Sequence, residues 1–365
     1  MFLKTVMERN QPLVRLGIEW QQNGVILPDT YLLDYDTILE NARSIKQAGD
    51  ANGVQNFFML KQIGRNPLIA RALTDMGYVG AVCVDFREAL TMVENQIPLG
   101  NVGHLVQIPR AALKKILRAK PVIVTVYTLE KAREISAVCT ELGLHQKLML
   151  RVLGEGDMLY SGQYGGFELQ ELDSAVRAIE AMPNVEVGGV CSFPCFLYDE
   201  AAQDILPMPN LRTVQTAAEM LRARGYRDLM LNTPSATCTH SIPMIAAAGG
   251  THGEPGHGLT GTTPYHAGHP DAEERPGYLY VSEVSHNLGD KAYCYGGGHY
   301  RRGHMKNALV GTTPENAKVV PVLPPDDSSI DYHFELQQNC PVSAAAVMAF
   351  RTQFFVTRSR VAVVI

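Results

Sequence analysis

Lys61 closes an apolar run, Phe57-Phe58-Met59-Leu60, and is followed at once by Gln62-Ile63-Gly64-Arg65-Asn66-Pro67. A short apolar run before a Gly/Asn/Pro turn reads as an interior strand, so this lysine is expected at the mouth of whatever the strand helps to build. Partial desolvation of an ammonium there lowers its pKa and frees the amine as a nucleophile for Schiff-base chemistry. The plainer alternative is a lysine that snorkels from a rim or pairs with a carboxylate. Two further stretches carry chemistry. Asn232-Thr233-Pro234-Ser235-Ala236-Thr237-Cys238-Thr239 follows the strand-like Leu229-Met230-Leu231 with small hydroxyl residues. Such a run either lets backbone N–H groups and hydroxyls close on an anion or makes an ordinary turn. In Glu254-Pro255-Gly256-His257-Gly258-Leu259-Thr260-Gly261 a carboxylate meets a rigid Pro-Gly bend, where it could hold the proton of a bound pyridinium ring.

These residues need elements to hold them. From about residue 30 short apolar runs alternate with amphipathic stretches: Tyr31 to Tyr35 then Thr37 to Ala48, Phe57 to Leu60 then Leu68 to Met76, Val79 to Val84 then Arg87 to Glu94. The rhythm continues through Val102 to Ile108, Val122 to Tyr127, Leu148 to Leu153, Val187 to Phe193, Leu229 to Asn232 and the Gly-rich Gly249 to Gly261. About eight such βα units favour a closed (β/α)₈ barrel of the TIM type over an open sheet, with its active site at the strand ends. Residues 27–264 are assigned to this α/β barrel. After about residue 265 Pro264, Pro270 and Pro276 interrupt the chain, and runs such as Tyr278 to Val284 and Gln353-Phe354-Phe355-Val356 alternate without helices between them. Residues 265–365, with part of 1–26, are therefore expected to form a second, mostly β domain.

Composition narrows the function classes. The chain has 365 residues, 46% of them hydrophobic, and can bury one large core and a smaller one. A net charge of -5 with interspersed signs gives no basic stripe, which argues against nucleic acid or an anionic membrane surface and for a small-molecule substrate. Charge enters too early after Met1 for a secretory leader, and no apolar stretch is long enough to span a bilayer, so a cytoplasmic protein is expected. Seven scattered cysteines do not make a disulfide framework, and Cys191 and Cys195 lack a second pair at zinc spacing.

At this point the chain resembles the alanine-racemase-like, fold-type III pyridoxal-phosphate (PLP) enzymes, and within them the YhfX group. Thr30-Tyr31-Leu32-Leu33-Asp34-Tyr35-Asp36 with Asn41 is similar to their first barrel strand and helix, and Phe58-Met59-Leu60-Lys61 with Asn66-Pro67 to their PLP-lysine strand. Gly77 and Val84-Asp85-Phe86-Arg87-Glu88 continue the likeness. Glu254-Pro255-Gly256 resembles the Glu-Pro-Gly-Arg signature of the decarboxylase branch or the Arg-Pro-Gly of the racemases. The resemblance implies Lys61 as the lysine that carries PLP, Ser235, Ala236 and Thr237 around its phosphate, and Glu254 near its ring nitrogen. It also implies Arg151 close to the cofactor, the alternative being a rim ion pair.

The departures bear on the reaction. Where the family stacks a histidine after its sixth strand this chain has Gly189-Val190-Cys191-Ser192-Phe193-Pro194. Phe193 could stack there but cannot exchange protons. His257 replaces the arginine of Glu-Pro-Gly-Arg as a weaker, titratable phosphate partner. Gly289 to Gly298 resembles the racemase segment that brings a tyrosine from the partner subunit, which makes Tyr295 the candidate second base and adjacent Cys294 its competitor. A register shift would align the same segment with the D-serine dehydratase and D-threonine aldolase branch. That branch uses a metal. His257, His266, His269 and Asp271 are loosely clustered and Gln338-Asn339-Cys340-Pro341 lacks the branch's histidine, so loop histidines are read as solvent-exposed and no metal is expected. The basic patch His299, Arg301, Arg302 and His304 is either a solvated strand end or a carboxylate-binding surface. The implied protein is a homodimeric PLP enzyme acting at Cα of an amino acid, a racemase with Lys61 and Tyr295 as opposing bases. A D-amino-acid lyase or a PLP-binding protein without turnover are the alternatives.

Overall fold

The structure, a computed structural model, describes residues 1–354 and 359–365. Phe355 and Val356 of the expected C-terminal strand run lie outside the described residues. The chain forms two compact units: Arg43–Leu60 with Arg65–Gly256, and Met1–Ala42 with Lys61–Gly64 and His257–Ile365.

The first of these units is an α/β barrel. Its parallel strands run in the order Gln55–Asn56, His252–Gly253, Met230–Asn232, Val185–Cys191, Gln146–Leu153, Ile123–Val126, Leu99–Val102, Ala81–Cys83, Phe58–Met59. The first and last members of that path are halves of one segment, separated only by Phe57. Phe57 N–H donates to Gly253 O and Phe58 N–H to Gly80 O, each at 3.0 Å, so the segment bonds to both neighbours and the ring closes. Counted once, it leaves eight barrel strands of the nine in the path. Ala81–Cys83, Leu99–Val102 and Ile123–Val126 are buried throughout, Asn101 and Thr125 included, so no solvent-facing alternation marks them, and the run read from Val102 to Ile108 is mostly the loop after Leu99–Val102.

The helices of this unit are set by their own sequences. Asn66 accepts from the Leu68 and Ile69 N–H groups ahead of Pro67–Asp75, Asp85 from Glu88 N–H ahead of Phe86–Glu94, and Thr128 from Lys131 N–H ahead of Leu129–Leu142. Each cap contributes about 1 kcal/mol. Arg110–Arg118 buries Ala112, Leu113, Ile116 and Leu117, one helical face, and leaves its basic residues outside.

The second unit holds an eight-stranded sheet ordered Lys291–Tyr295, His333–Leu336, Lys318–Leu323, Asn307–Gly311, Ala345–Met348, Tyr278–Leu288, Thr30–Asp34, Arg360–Val364. The long strand Tyr278–Leu288 also pairs with Lys291–Tyr295, which curls the sheet back on itself. Two helices, Leu3–Arg9 and Gln11–Gln22, bury Val6, Leu13, Val14 and Ile18 against Leu32, Leu279, Val281 and Val347. Gly17 permits the approach, since a Cβ there would sit 3.3 Å from Leu279 Cδ1 and Val281 Cγ2.

One expectation is corrected. Thr30–Asp34 is not a barrel strand: it pairs antiparallel with Tyr278–Val281 and parallel with Arg360–Val364. Tyr31 enters an aromatic cluster with Tyr278, Tyr280, Phe350 and Phe354, while Leu32 joins the core beneath the N-terminal helices. With both faces covered, the strand has the same continuous apolar pattern as a barrel strand. The segment Lys61–Gly64 belongs here too: Phe354 N–H donates to Lys61 O at 3.0 Å, and Gly64, at φ +64°, leaves no room for a Cβ, which would lie 2.9 Å from Val361 Cγ1.

Candidate active site

Within the barrel, polar groups converge where strands end. Glu254 follows His252–Gly253 and is buried at 6% exposure. Its Oε1 accepts from Asn232 Nδ2 at 2.6 Å and from Asn101 Nδ2 at 3.2 Å. The Asn101 amide is oriented by Thr125, whose hydroxyl donates to Asn101 Oδ1 at 2.7 Å. A carboxylate can only accept, so this turns the amide's NH₂ toward Glu254. Thr237 holds the backbone, its Oγ1 accepting from Glu254 N–H at 3.2 Å. Glu254 Oε2, by contrast, has no hydrogen-bond partner among the described residues, and His104 Nε2 stands 3.7 Å away.

Arg151, on Gln146–Leu153, is fully buried. Nη1 donates to Tyr127 Oη at 2.8 Å and Nη2 to Gln163 O at 2.9 Å, while the guanidinium lies 4.9 Å from the Tyr127 ring centroid. Its Nε is unpartnered, and among the described residues no carboxylate lies within ion-pair distance of it. The rim ion pair allowed by the sequence is therefore not formed. A buried guanidinium without a counter-ion is costly unless an anion completes it.

The loop after Met230–Asn232 offers the third feature. Ala236 takes a left-handed backbone conformation at φ +53°, and among the described residues no hydrogen bond uses the N–H groups of Ser235, Ala236 or Thr237. Successive N–H groups around a left-handed residue form an anion-binding concavity. Ser235 Oγ donates to Phe196 O at 2.8 Å, so its hydroxyl serves the loop. Phe193 lies 5.6 Å from the Tyr160 ring and 5.7 Å, edge-on, from the His104 ring. Burial pushes the Cys191 thiol up to about 12, against the pull of Arg151. These features fit PLP: an acceptor with no partner, a guanidinium with no anion and a nest of N–H groups match its ring nitrogen, anionic oxygens and phosphate.

In the other unit, Lys61 is half-buried and its carbonyl is tied to Phe354. The His257 ring faces Thr262 Oγ1 at 3.2 Å through Nδ1 and accepts from Arg351 Nε at 3.2 Å through Nε2. Burial, with Arg351 and then Lys61 nearby, holds this histidine well below its usual range, so it is neutral and Arg351 is the permanent cation beside it. On Lys291–Tyr295 the strand's alternation separates the two base candidates. Cys294 points into the core, where burial pushes its thiol up to about 12, whereas Tyr295 is 39% exposed with its ring 5.8 Å from that of His333.

The loop histidines are not decoration. His266 is buried, accepting from Thr263 N–H and pairing with Glu274 Oε2 at 3.0 Å, and the His269 ring stacks on Tyr265 at 4.0 Å. Among the described residues no group of three His, Cys, Asp or Glu could hold a metal ion. In the basic patch Arg301 pairs with Asp327 at 2.9 Å.

Comparison with known proteins agrees with this architecture. The family model described as alanine racemase, N-terminal domain, matches residues 33–264, and the model described as YhfX-like, C-terminal domain, matches residues 279–365. The chain belongs to the alanine-racemase-like family. It is 43% identical over 366 residues to the uncharacterized protein YhfX of Escherichia coli (strain K12), covering 100% of this chain and 94% of that one. Among solved structures it is similar to D-threonine aldolase from Filomicrobium marinum, with TM-score 0.66 and 16% identity over 90% of this chain and 88% of the other. It is also similar to the Clostridium difficile 630 alanine racemase complexed with cycloserine, at TM-score 0.63 and 15% identity over 90% and 88% of the two chains. A D-threo-3-hydroxyaspartate dehydratase variant follows at TM-score 0.64 and 15% identity over 88% and 87%. At such identities these neighbours share the fold, and they include both racemases and lyases. The family is PLP-dependent, and among the described residues no helix is long and apolar enough to cross a membrane.

Asn101, His104, Thr125 and Tyr127 were missed from sequence. The one available signal was polarity inside an apolar run, as in Leu99-Gly100-Asn101-Val102, because a buried amide must find a partner.

Proposed function

We propose that this protein is a PLP-dependent enzyme acting at the α-carbon of an amino acid, and that it racemises its substrate. The observation that carries the reading is the half-satisfied Glu254 carboxylate, one oxygen fixed by two amides and the other without a hydrogen bond among the described residues. When bound, PLP supplies an electron sink that acidifies the substrate's α-proton. Glu254 would hold the ring nitrogen's proton, Arg151 an anionic oxygen, and the N–H groups of Ser235, Ala236 and Thr237 the phosphate, with Phe193 lining the site. The neutral His257 ring, with Arg351 donating to it, would support the phosphate side. Lys61 Nζ would hold the cofactor and take or return the α-proton on one side. Inversion needs a second group on the opposite side. The Tyr295 hydroxyl, acting in the partner subunit of a homodimer, is that group; Cys294 is too deeply buried to serve. Seven cysteines with no disulfide among the described residues suit a reducing, cytoplasmic setting.

Glu254 also favours a second reading. A carboxylate at the ring nitrogen stabilises a fully developed carbanion, which permits β-elimination or retro-aldol cleavage and so a D-amino-acid lyase. Proton NMR in D₂O with L- and D-amino acids separates the two: inversion with Cα deuteration marks a racemase and fragmentation a lyase. Tyr295→Phe is expected to slow exchange from one enantiomer by about 10²-fold or more. Equal, unchanged exchange from both enantiomers would remove the tyrosine from the mechanism.

A further inference from the structure

His104 has no role in the reading above, yet it is placed as deliberately as any residue in the barrel. Gly103, at φ +92°, turns the chain out of Leu99–Val102, and a Cβ there would meet Thr125 O at 2.6 Å. The loop is then pinned by the Tyr127 hydroxyl, which donates to His104 O at 2.6 Å and itself accepts from Arg151. The imidazole that results is fully buried. Its Nδ1 lies 3.8 Å from Cys191 Sγ, its edge meets Phe193 at 5.7 Å between centroids, and its Nε2 stands 3.7 Å from Glu254 Oε2. That last distance is too long for a hydrogen bond and close enough for the ring edge to limit where the open oxygen can turn.

We propose that His104 is a positioning residue of the cofactor site, its Nε2 edge setting the orientation of the Glu254 oxygen that the Asn101 and Asn232 amides leave open. The carboxylate is then held on both sides by different chemistry. Two amides fix Oε1, and an imidazole edge faces Oε2. The division matters for function because a carboxylate meant to meet a bound ring's nitrogen must present its open oxygen at one angle, and an adjacent imidazole edge limits that angle. The inference rests on the PLP reading of the site.

The test is a cycle of variants read by PLP affinity and by the visible absorbance maximum of the PLP-loaded protein, with thermal melts to confirm folding. Glutamine places an amide nitrogen near the position of the histidine Nε2, and asparagine near that of Nδ1. His104→Asn is expected to weaken PLP binding by about tenfold and to move the absorbance maximum, whereas His104→Gln stays within about threefold of wild type. In a Glu254→Gln background the two substitutions are expected to differ from His104 by less than about twofold. Equal effects of Asn and Gln, or an Asn effect that persists undiminished beside Glu254→Gln, would overturn the proposal and leave the PLP reading standing. If His104→Asn does not fold, His104→Gln and Glu254→Gln close the cycle alone, and additivity between them overturns the proposal. Wild-type protein that fails to bind PLP would remove the reading itself, and the proposal with it.

Discussion

Two buried carboxylate–histidine pairs, one in each unit, have the same composition and opposite character. In both, the side chains are about 1% exposed. His266 and Glu274 meet at 3.0 Å, and the other ring nitrogen of His266 accepts from Thr263 N–H at the start of a short helix. Both nitrogens of that ring are used within the fold. His104 and Glu254 stand 3.7 Å apart, and Glu254 keeps an oxygen with no hydrogen bond among the described residues although two amides and a backbone contact hold the rest of the group still. A closed pair stabilises the chain, since breaking it leaves a buried group unsatisfied. An open pair, rigidly supported, spends stability to keep an acceptor available, as binding and catalytic sites do.

The contrast can be broken or sharpened by substitution. The largest effect is expected at Lys61, where Lys61→Ala should remove the visible PLP band and lower Cα exchange by about 10³-fold or more, checked by absorbance and NMR. On the open pair, Glu254→Gln should slow exchange by about 10²-fold, because a neutral amide cannot balance a protonated ring. Its thermal midpoint should move little, since the Gln oxygen can still accept from Asn101 and Asn232. On the closed pair the pattern reverses: His266→Ala should cost about 2–3 kcal/mol by denaturant unfolding, through loss of the cap contact and of the 3.0 Å contact to Glu274, with PLP affinity unchanged. The smallest effect belongs to Cys294→Ala, which should cost about 1 kcal/mol as a small cavity and leave the exchange rate within about twofold. A Cys294→Ala variant without exchange would restore the thiol as a base.

Those expectations also show what could be read from the chain. The barrel was legible because most of its buried parallel strands are predominantly apolar and its helices are capped by Asn66, Asp85 and Thr128. The same rule misplaced Thr30–Asp34, since a strand covered on both faces looks alike in either sheet. Glu254 and the Ser235 to Thr237 loop stood out by motif. Their supports did not, because Asn101, Thr125, Tyr127 and His104 come from other strand ends brought together only when the ring closes. His266 was misread as exposed decoration, its partner Glu274 lying eight residues on with nothing in the spacing to mark a pair. Periodicity separated Cys294 from Tyr295 only in retrospect, once the strand's inward face was known.

The most direct measurement is borohydride reduction of the wild-type protein incubated with PLP, followed by peptide mass spectrometry. The account predicts one modified peptide, carrying a pyridoxyl group on Lys61, and none after Lys61→Ala. A label on another lysine, or no label on folded protein at saturating PLP, would contradict it.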